Sequence, residues 1–297
     1  MRKWIASIVV GLTLIPTTSF AASIPNIGPT QISLSIVHSG EVSAYQRIVA
    51  LGNGAAEIVA ALGYKSNLVG RDIASTMPEL ASIPLDTAGH QLSVEKVLSQ
   101  NPDIIFIDNN TSPQSALDVL KKSKIKIVSI PSAYALSDIL PKEKAIADAL
   151  KVPKAYSLLA AKLTQSKYAK LATKVAFLYL RGTASIYLIG GVGSGADSLF
   201  SAIGAQDVGA ANFKTPFSDL SAEALIKMKP DVIVLMTKGL ASVGGVKGLL
   251  QLPGVAQTPA GQHQRFVTID DSLFLSFGPR TSALEPLLRK AIISVSK

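Results

Sequence analysis

The chain has 297 residues, a formal net charge of +9, 48% hydrophobic residues and no cysteine. The lack of cysteine excludes disulfides, thiolate metal sites and a lipidated N-terminal cysteine. Aromatic residues are sparse and no Lys/Arg run exceeds a pair, which argues against a nucleic-acid surface; the positive charge better suits an anionic small ligand.

Arg2 and Lys3, the apolar run from Trp4 to Ile15 and the ending Ser19-Phe20-Ala21 form a secretory signal, residues 1–21, with cleavage expected after Ala21. The run is too short to span a bilayer, and Pro16 interrupts it. The mature chain is therefore expected in the periplasm of a Gram-negative cell. Its length fits two α/β units of ordinary domain size.

Arg47–Leu51 reads as a buried strand, and Gly52-Asn53-Gly54 turns it into a helix over Ala55–Leu62. Leu68–Gly70 is a second strand, followed by a loop over Arg71–Pro78. Strands are expected at Ile104–Ile107 and Ile125–Ile130, and helices at Ala116–Lys122 and Leu136–Leu150, with Pro141 tolerated in a first turn. The Ala- and Leu-rich stretch 153–172 contains no glycine and reads as a stiff helix at the midpoint of the mature chain. Beyond it come strands Lys174–Leu180 and Ile186–Ile189, a glycine-rich turn over residues 190–195, a helix over Ala196–Ile203, a strand at Phe266–Ile269 and a terminal helix from Ser282. Alternation of this kind builds parallel sheets.

One segment occurs twice. Residues 92–107 return at 220–235, with Leu, Ser, Glu, Pro, Asp and one Ile identical. Each copy reads as a Ser-capped helix with an acid in its first turn (Glu95, Glu223), then a Pro-Asp stop and an apolar strand. Two such units at half-chain spacing predict two similar lobes with a cleft between them.

Enzyme chemistry is poorly represented. His38, His90 and His263 are the only histidines, with no Gly-x-Ser-x-Gly or His-Glu-x-x-His motif. In the 190–195 turn Ala196 takes the third glycine position of a dinucleotide fingerprint, and no acid ends a following strand. A tight turn exposing a helix N-terminus to a ligand is expected instead. The chain is read as a non-enzyme, with an exported α/β enzyme as the remote alternative.

The stretch Arg47–Gly63 and the two Leu-Ser-x-Glu…Pro-Asp units resemble the substrate-binding proteins of ABC importers for haem, siderophores and cobalamin. Gly244–Gly261 and the motif Phe277-Gly278-Pro279-Arg280-Thr281 are similar to the haem-binding branch. The resemblance covers residues 46–290. It implies an α/β fold of two Rossmann-like lobes with mainly parallel sheets: an N-terminal lobe over 22–152, one long bridging helix over 153–172 and a C-terminal lobe over 173–297. Haem is then the transported ligand rather than a cofactor, with a siderophore or corrinoid as the alternative cargo. The implied partner is an ABC permease dimer, with an outer-membrane haem receptor upstream, and the carrier itself is a monomer.

In the haem branch a tyrosine of a Ser-Thr-Tyr-Pro loop usually ligates iron; here the loop reads Ser75-Thr76-Met77-Pro78. Met77 is thus a candidate iron ligand or porphyrin contact, and His90 a second candidate. Tyr187 and Tyr179 are further candidates. Arg71, Arg181 and Arg280 are the expected partners of the propionates, since arginine offers a fork of donors. The family also docks a pair of lobe acids onto its permease, which assigns that role to Glu95 and Glu223.

Overall fold

The computed structural model describes residues 24–88, 91–163 and 166–297; the signal segment with its cleavage position, and His90, lie outside them. The elements follow the expected alternation. β1 (Asn26–Ile27), β2 (Ile48–Ala50), α1 (Ala55–Ala61), β3 (Leu68–Arg71), β4 (Thr87–Ala88), β5 (Gln91–Leu92), α2 (Val94–Ser99), β6 (Ile104–Ile107), α3 (Gln114–Lys121) and β7 (Lys126–Ser129) come first. Next are α4 (Ile139–Leu150) and α5 (Pro153–Ala160). The second half contains β8 (Lys174–Arg181), β9 (Ile186–Gly190), α6 (Ala196–Ala202), β10 (Gln206–Asp207), α7 (Val208–Asn212), β11 (Phe217–Asp219), α8 (Ala222–Met228) and β12 (Val232–Met236). It closes with α9 (Thr237–Ser242), α10 (Gly245–Leu249), α11 (Pro259–Gln262), β13 (Phe266–Ile269), α12 (Asp271–Leu275) and α13 (Thr281–Ser296).

The first lobe is a four-stranded sheet in the order β3-β2-β6-β7, parallel throughout. The second has the order β1-β13-β12-β8-β9-β11, with β10 beside β8; only the β8–β9 and β9–β11 pairs are antiparallel. Strands β2, β6, β12 and β13 are buried along their length, as parallel strands covered on both faces must be.

The repeat has a structural reason beyond its helix. The Asp103 amide donates to the Arg47 carbonyl at 2.8 Å, while the Asp103 carboxylate accepts from the amides of Gln46 and Arg47. In the second lobe the Asp231 amide donates to the Lys174 carbonyl at 2.8 Å, and its carboxylate accepts from the Lys174 amide. In each copy Pro-Asp stops the helix and clamps the start of the neighbouring central strand, β2 or β8.

Two expectations about the lobe boundary are corrected. The helix at 153–172 is only Pro153–Ala160; residues 166–173 are not helical, and Leu171 donates its amide to the Gly204 carbonyl. The helix that connects the lobes is α4: Ile139 packs in the second-lobe core, while Ile146, Ala147 and Leu150 pack in the first. It stops at Lys151, whose φ of 60° is left-handed, and Pro153 restarts the chain as α5. The second correction concerns the N-terminal lobe expected over 22–152, since residues 26–27 pair with β13 of the second-lobe sheet before the chain enters the first lobe.

Charges are buried where the lobes meet. Arg280, just before α13, and Glu57 of α1 form an ion pair at 2.9 Å, with side chains 2% and 3% exposed. Arg280 also donates to the Pro29 carbonyl, and Lys142 of α4 donates to the Ser276 carbonyl at 2.8 Å. Gly54 begins α1 at φ 75°, and a Cβ there would meet the Ser276 carbonyl and Lys142 Nζ at about 3 Å, so the close approach of the lobes requires glycine.

Glu143, 1% exposed, leaves Oε2 without a partner; burial, helped by Glu57, pushes its carboxyl up to about 7. A carboxyl raised in the folded state keeps a proton that the unfolded chain has released, so its contribution is present at low pH and lost as pH rises through about 7. Unfolding free energy measured in urea is expected to fall between pH 5 and pH 8. Glu143→Gln should flatten that slope; an unchanged slope would remove Glu143 as its source.

Candidate functional site

In parallel α/β sheets ligands collect beyond the carboxyl ends of the strands. Here those ends from both lobes face one cleft. A cavity of about 310 Å³ is lined on the first-lobe side by Leu51 and Asn53 after β2, Asp72 after β3 and Asp108 after β6. The second lobe contributes Tyr179 of β8 and Leu275 of α12.

Tyr179 is the centre of the second-lobe wall. Its ring packs on Phe217 at a centroid distance of 5.2 Å, and the Arg181 guanidinium lies 4.6 Å from its centroid. Strand alternation puts residues 179 and 181 on one face, which is why the pair meets. Arg181 donates to the Leu180 carbonyl at 2.8 Å and approaches Asp271 at 3.5 Å. Asp271 also accepts from the Lys238 amide, so the exposed Lys238 side chain starts next to Arg181 and Asp271. The wall thus offers an oxygen ligand with cations beside it, the chemistry that a metal chelate with carboxylates needs.

The other candidates fare differently. Met77 is 1% exposed and packed in the first-lobe core, so it reaches no cleft ligand. Pro78 starts a turn of 3-10 helix that points Met77 inward with Leu80. Arg71 is buried and holds its own loop, donating to the carbonyls of Ser75 at 2.8 Å and Ile83 at 3.0 Å. Arg280 is committed to Glu57. Tyr187 sits on β9 with its hydroxyl donated to the Pro253 carbonyl, and burial raises its pKa, which disfavours a phenolate ligand. His90 is outside the described residues. Of the named candidates, Tyr179 and Arg181 are the two brought together.

The glycine turn is also not an open anion site. Asp197 fills the start of α6, accepting from the amides of Gly193 at 2.8 Å and Gly195 at 3.0 Å. Tyr134 was not anticipated. It follows β7, is exposed, and accepts a hydrogen bond from Asn110, a cleft residue, at 3.1 Å. An exposed aromatic just past a strand's carboxyl end was its only signal. Glu95 and Glu223 are exposed near the N-termini of α2 and α8, whose following strands β6 and β12 place those helix starts at the cleft end of each lobe.

Two lobes with mainly parallel sheets, joined by one crossing helix and sharing a cleft, define a bilobal ligand-binding protein. The family model described as "Periplasmic binding protein" matches residues 48–273, and the chain belongs to that family. The periplasmic haem-binding protein RhuT from Roseiflexus sp. RS-1, in apo form, superposes with a TM-score of 0.78 at 31% identity, covering 85% of this chain and 99% of that one. The haem-binding protein HmuT superposes with a TM-score of 0.75 at 29% identity over 91% of this chain and 95% of its own. Among curated proteins, the uncharacterized ABC transporter substrate-binding lipoprotein YvrC of Bacillus subtilis (strain 168) is 25% identical over 246 residues, 79% of this chain and 76% of that protein.

Proposed function

We propose that the protein captures haem in the interlobe cleft and delivers it to an ABC importer of the inner membrane. The observation that carries this reading is Tyr179 with Arg181 stacked on it, facing a cleft at the carboxyl ends of both sheets. A phenolate is a hard oxygen ligand suited to ferric iron, and Arg181 and Lys238 supply cations for two propionates. Solved variants of the haem-binding relative HmuT include replacements of a tyrosine and of an arginine two positions further on. Tyr179 and Arg181 have that spacing. His90 remains the imidazole candidate. Export through the signal segment, with cleavage after Ala21, would place the carrier in the periplasm as a monomer, downstream of an outer-membrane haem receptor.

Hemin titration tests this directly. A Soret shift reaching a defined end point is expected, while cyanocobalamin and a ferric siderophore at the same concentration should leave the protein unsaturated. Saturation by either of these, without a hemin shift, would transfer the site to that ligand class.

Glu95 and Glu223 would meet matched cationic positions on a twofold permease, one per lobe. Both are exposed, so changing them should cost at most a few tenths of a kcal/mol of helix stability. The double variant Glu95→Ala/Glu223→Ala is expected to keep its hemin affinity and melting temperature while uptake by cells falls. Wild-type uptake would reduce both to helix-start acids.

A further inference from the structure

The two walls of the cleft differ in charge. The first-lobe wall presents Asp72 and Asp108, and among the described residues lining the cavity none is cationic. Across from it, Arg181 stacks on Tyr179 and the Lys238 amide bonds to Asp271 beside Arg181, so both cations stand next to the cavity lining rather than in it. Asp108 is held rigid: one carboxylate oxygen accepts from the Asn53 amide at 2.9 Å, the other from the Asn110 amide and the Thr111 hydroxyl at 3.0 Å. Asp72 is 7% exposed. Its Oδ1 accepts from the Ser75 amide and hydroxyl, and its Oδ2 takes no protein hydrogen bond among the described residues. The nearby Asn53 Oδ1 is likewise buried and unpartnered. The wall is therefore a row of acceptors, open to a donor and hostile to another carboxylate.

We propose that Asp72 and Asp108 orient the bound ligand, barring its anionic edge from the first-lobe wall and turning it toward Arg181 and Lys238. The proposal rests on the haem reading above and adds the determinant of ligand orientation. Of the charged groups near Asp72, Asp108 shares the cavity lining and adds to the effect, whereas Arg71 and Lys142 keep their positive charge and weaken it; both lie off the lining, bonded to the carbonyls of Ser75 and Ile83 and of Ser276. Like charges brought together in a poorly solvated cleft discriminate strongly between ligand poses.

The test compares hemin with hemin dimethyl ester, whose propionates carry no charge. Burial pushes the Asp72 carboxyl up to about 7, so pH 6 and pH 8 bracket its ionisation. For the wild type, hemin affinity relative to the ester should rise about three- to tenfold from pH 8 to pH 6. Asp72→Asn should raise that ratio at pH 8 by a similar factor and lose most of its pH dependence. The same ratio and the same pH dependence in both proteins overturns the orienting role while leaving haem binding intact. If that variant does not fold, Asp72→Ser gives the same comparison, and a ratio at pH 8 equal to that of the wild type overturns the orienting role. Failure of both porphyrins to bind the wild type overturns the haem reading, and this inference with it.

Discussion

Tyr179→Ala is expected to weaken hemin binding by about 2 kcal/mol or more, roughly thirtyfold in Kd, and to abolish any phenolate–ferric charge-transfer band. A central aromatic anchor with a specific polar atom is where binding energy concentrates. The ring also packs on Phe217 and under Arg181, so alanine would remove packing and ligation together. Tyr179→Phe separates them. It keeps the ring, the stack and the guanidinium above it, and removes only the oxygen. If Tyr179 ligates iron, the phenylalanine variant should lose the band and most of the affinity. Near-wild-type spectra for Tyr179→Phe would confine Tyr179 to packing and move suspicion to His90 or Tyr134. Met77→Leu serves as the control, because a volume-conserving change in the first-lobe core should cost less than about 1.5 kcal/mol of stability and leave the spectrum untouched.

Arg280→Ala is expected to destabilise the protein by about 3–5 kcal/mol, because it leaves Glu57 charged and buried without its partner. That is a large share of the total stability of a typical fold, and at this chain length it corresponds to a fall in melting temperature on the order of 10 °C. The loss should be larger than contact area alone implies, since Arg280 also holds the Pro29 carbonyl of the segment after β1. Replacing both partners, as Glu57→Leu/Arg280→Met, should restore much of it, as no uncompensated charge then remains. Hemin affinity, measured well below the melting temperature, should change little in either variant. A normal melting temperature with lost hemin binding would instead return Arg280 to the ligand site and refute its burial between the lobes.

These two experiments separate what was legible in the chain from what was not. Tyr179 is only one of several candidate ligands in the sequence, because a tyrosine inside an apolar strand carries no mark of whether it faces core or cleft. Arg280, in a motif that resembles the haem branch, was expected to meet propionates; instead it is held by Glu57, 223 residues away. Met77 occupies the position that the family's loop reserves for a ligand, yet the turn at Pro78–Leu80 carries it into the core. Loop side chains are assigned to core or cleft by what packs over them, which no local pattern encodes.

The sequence alone determined most of the central elements, because periodicity and caps are local. The strand at Phe266–Ile269, the α1 start after Gly54, the Ser221 cap of α8 and the two Pro-Asp stops all fall within a residue of expectation. It determined the two-lobe plan as well, since the repeat recurs at a domain-sized interval. Only the tertiary structure decided that α4 rather than 153–172 crosses between the lobes, that residues 26–27 join the second sheet, and that the cleft sets Asp72 and Asp108 of one lobe opposite Tyr179 of the other. Each of these depends on pairings between residues far apart in the chain, where burial and partner choice, not local propensity, set the free energy.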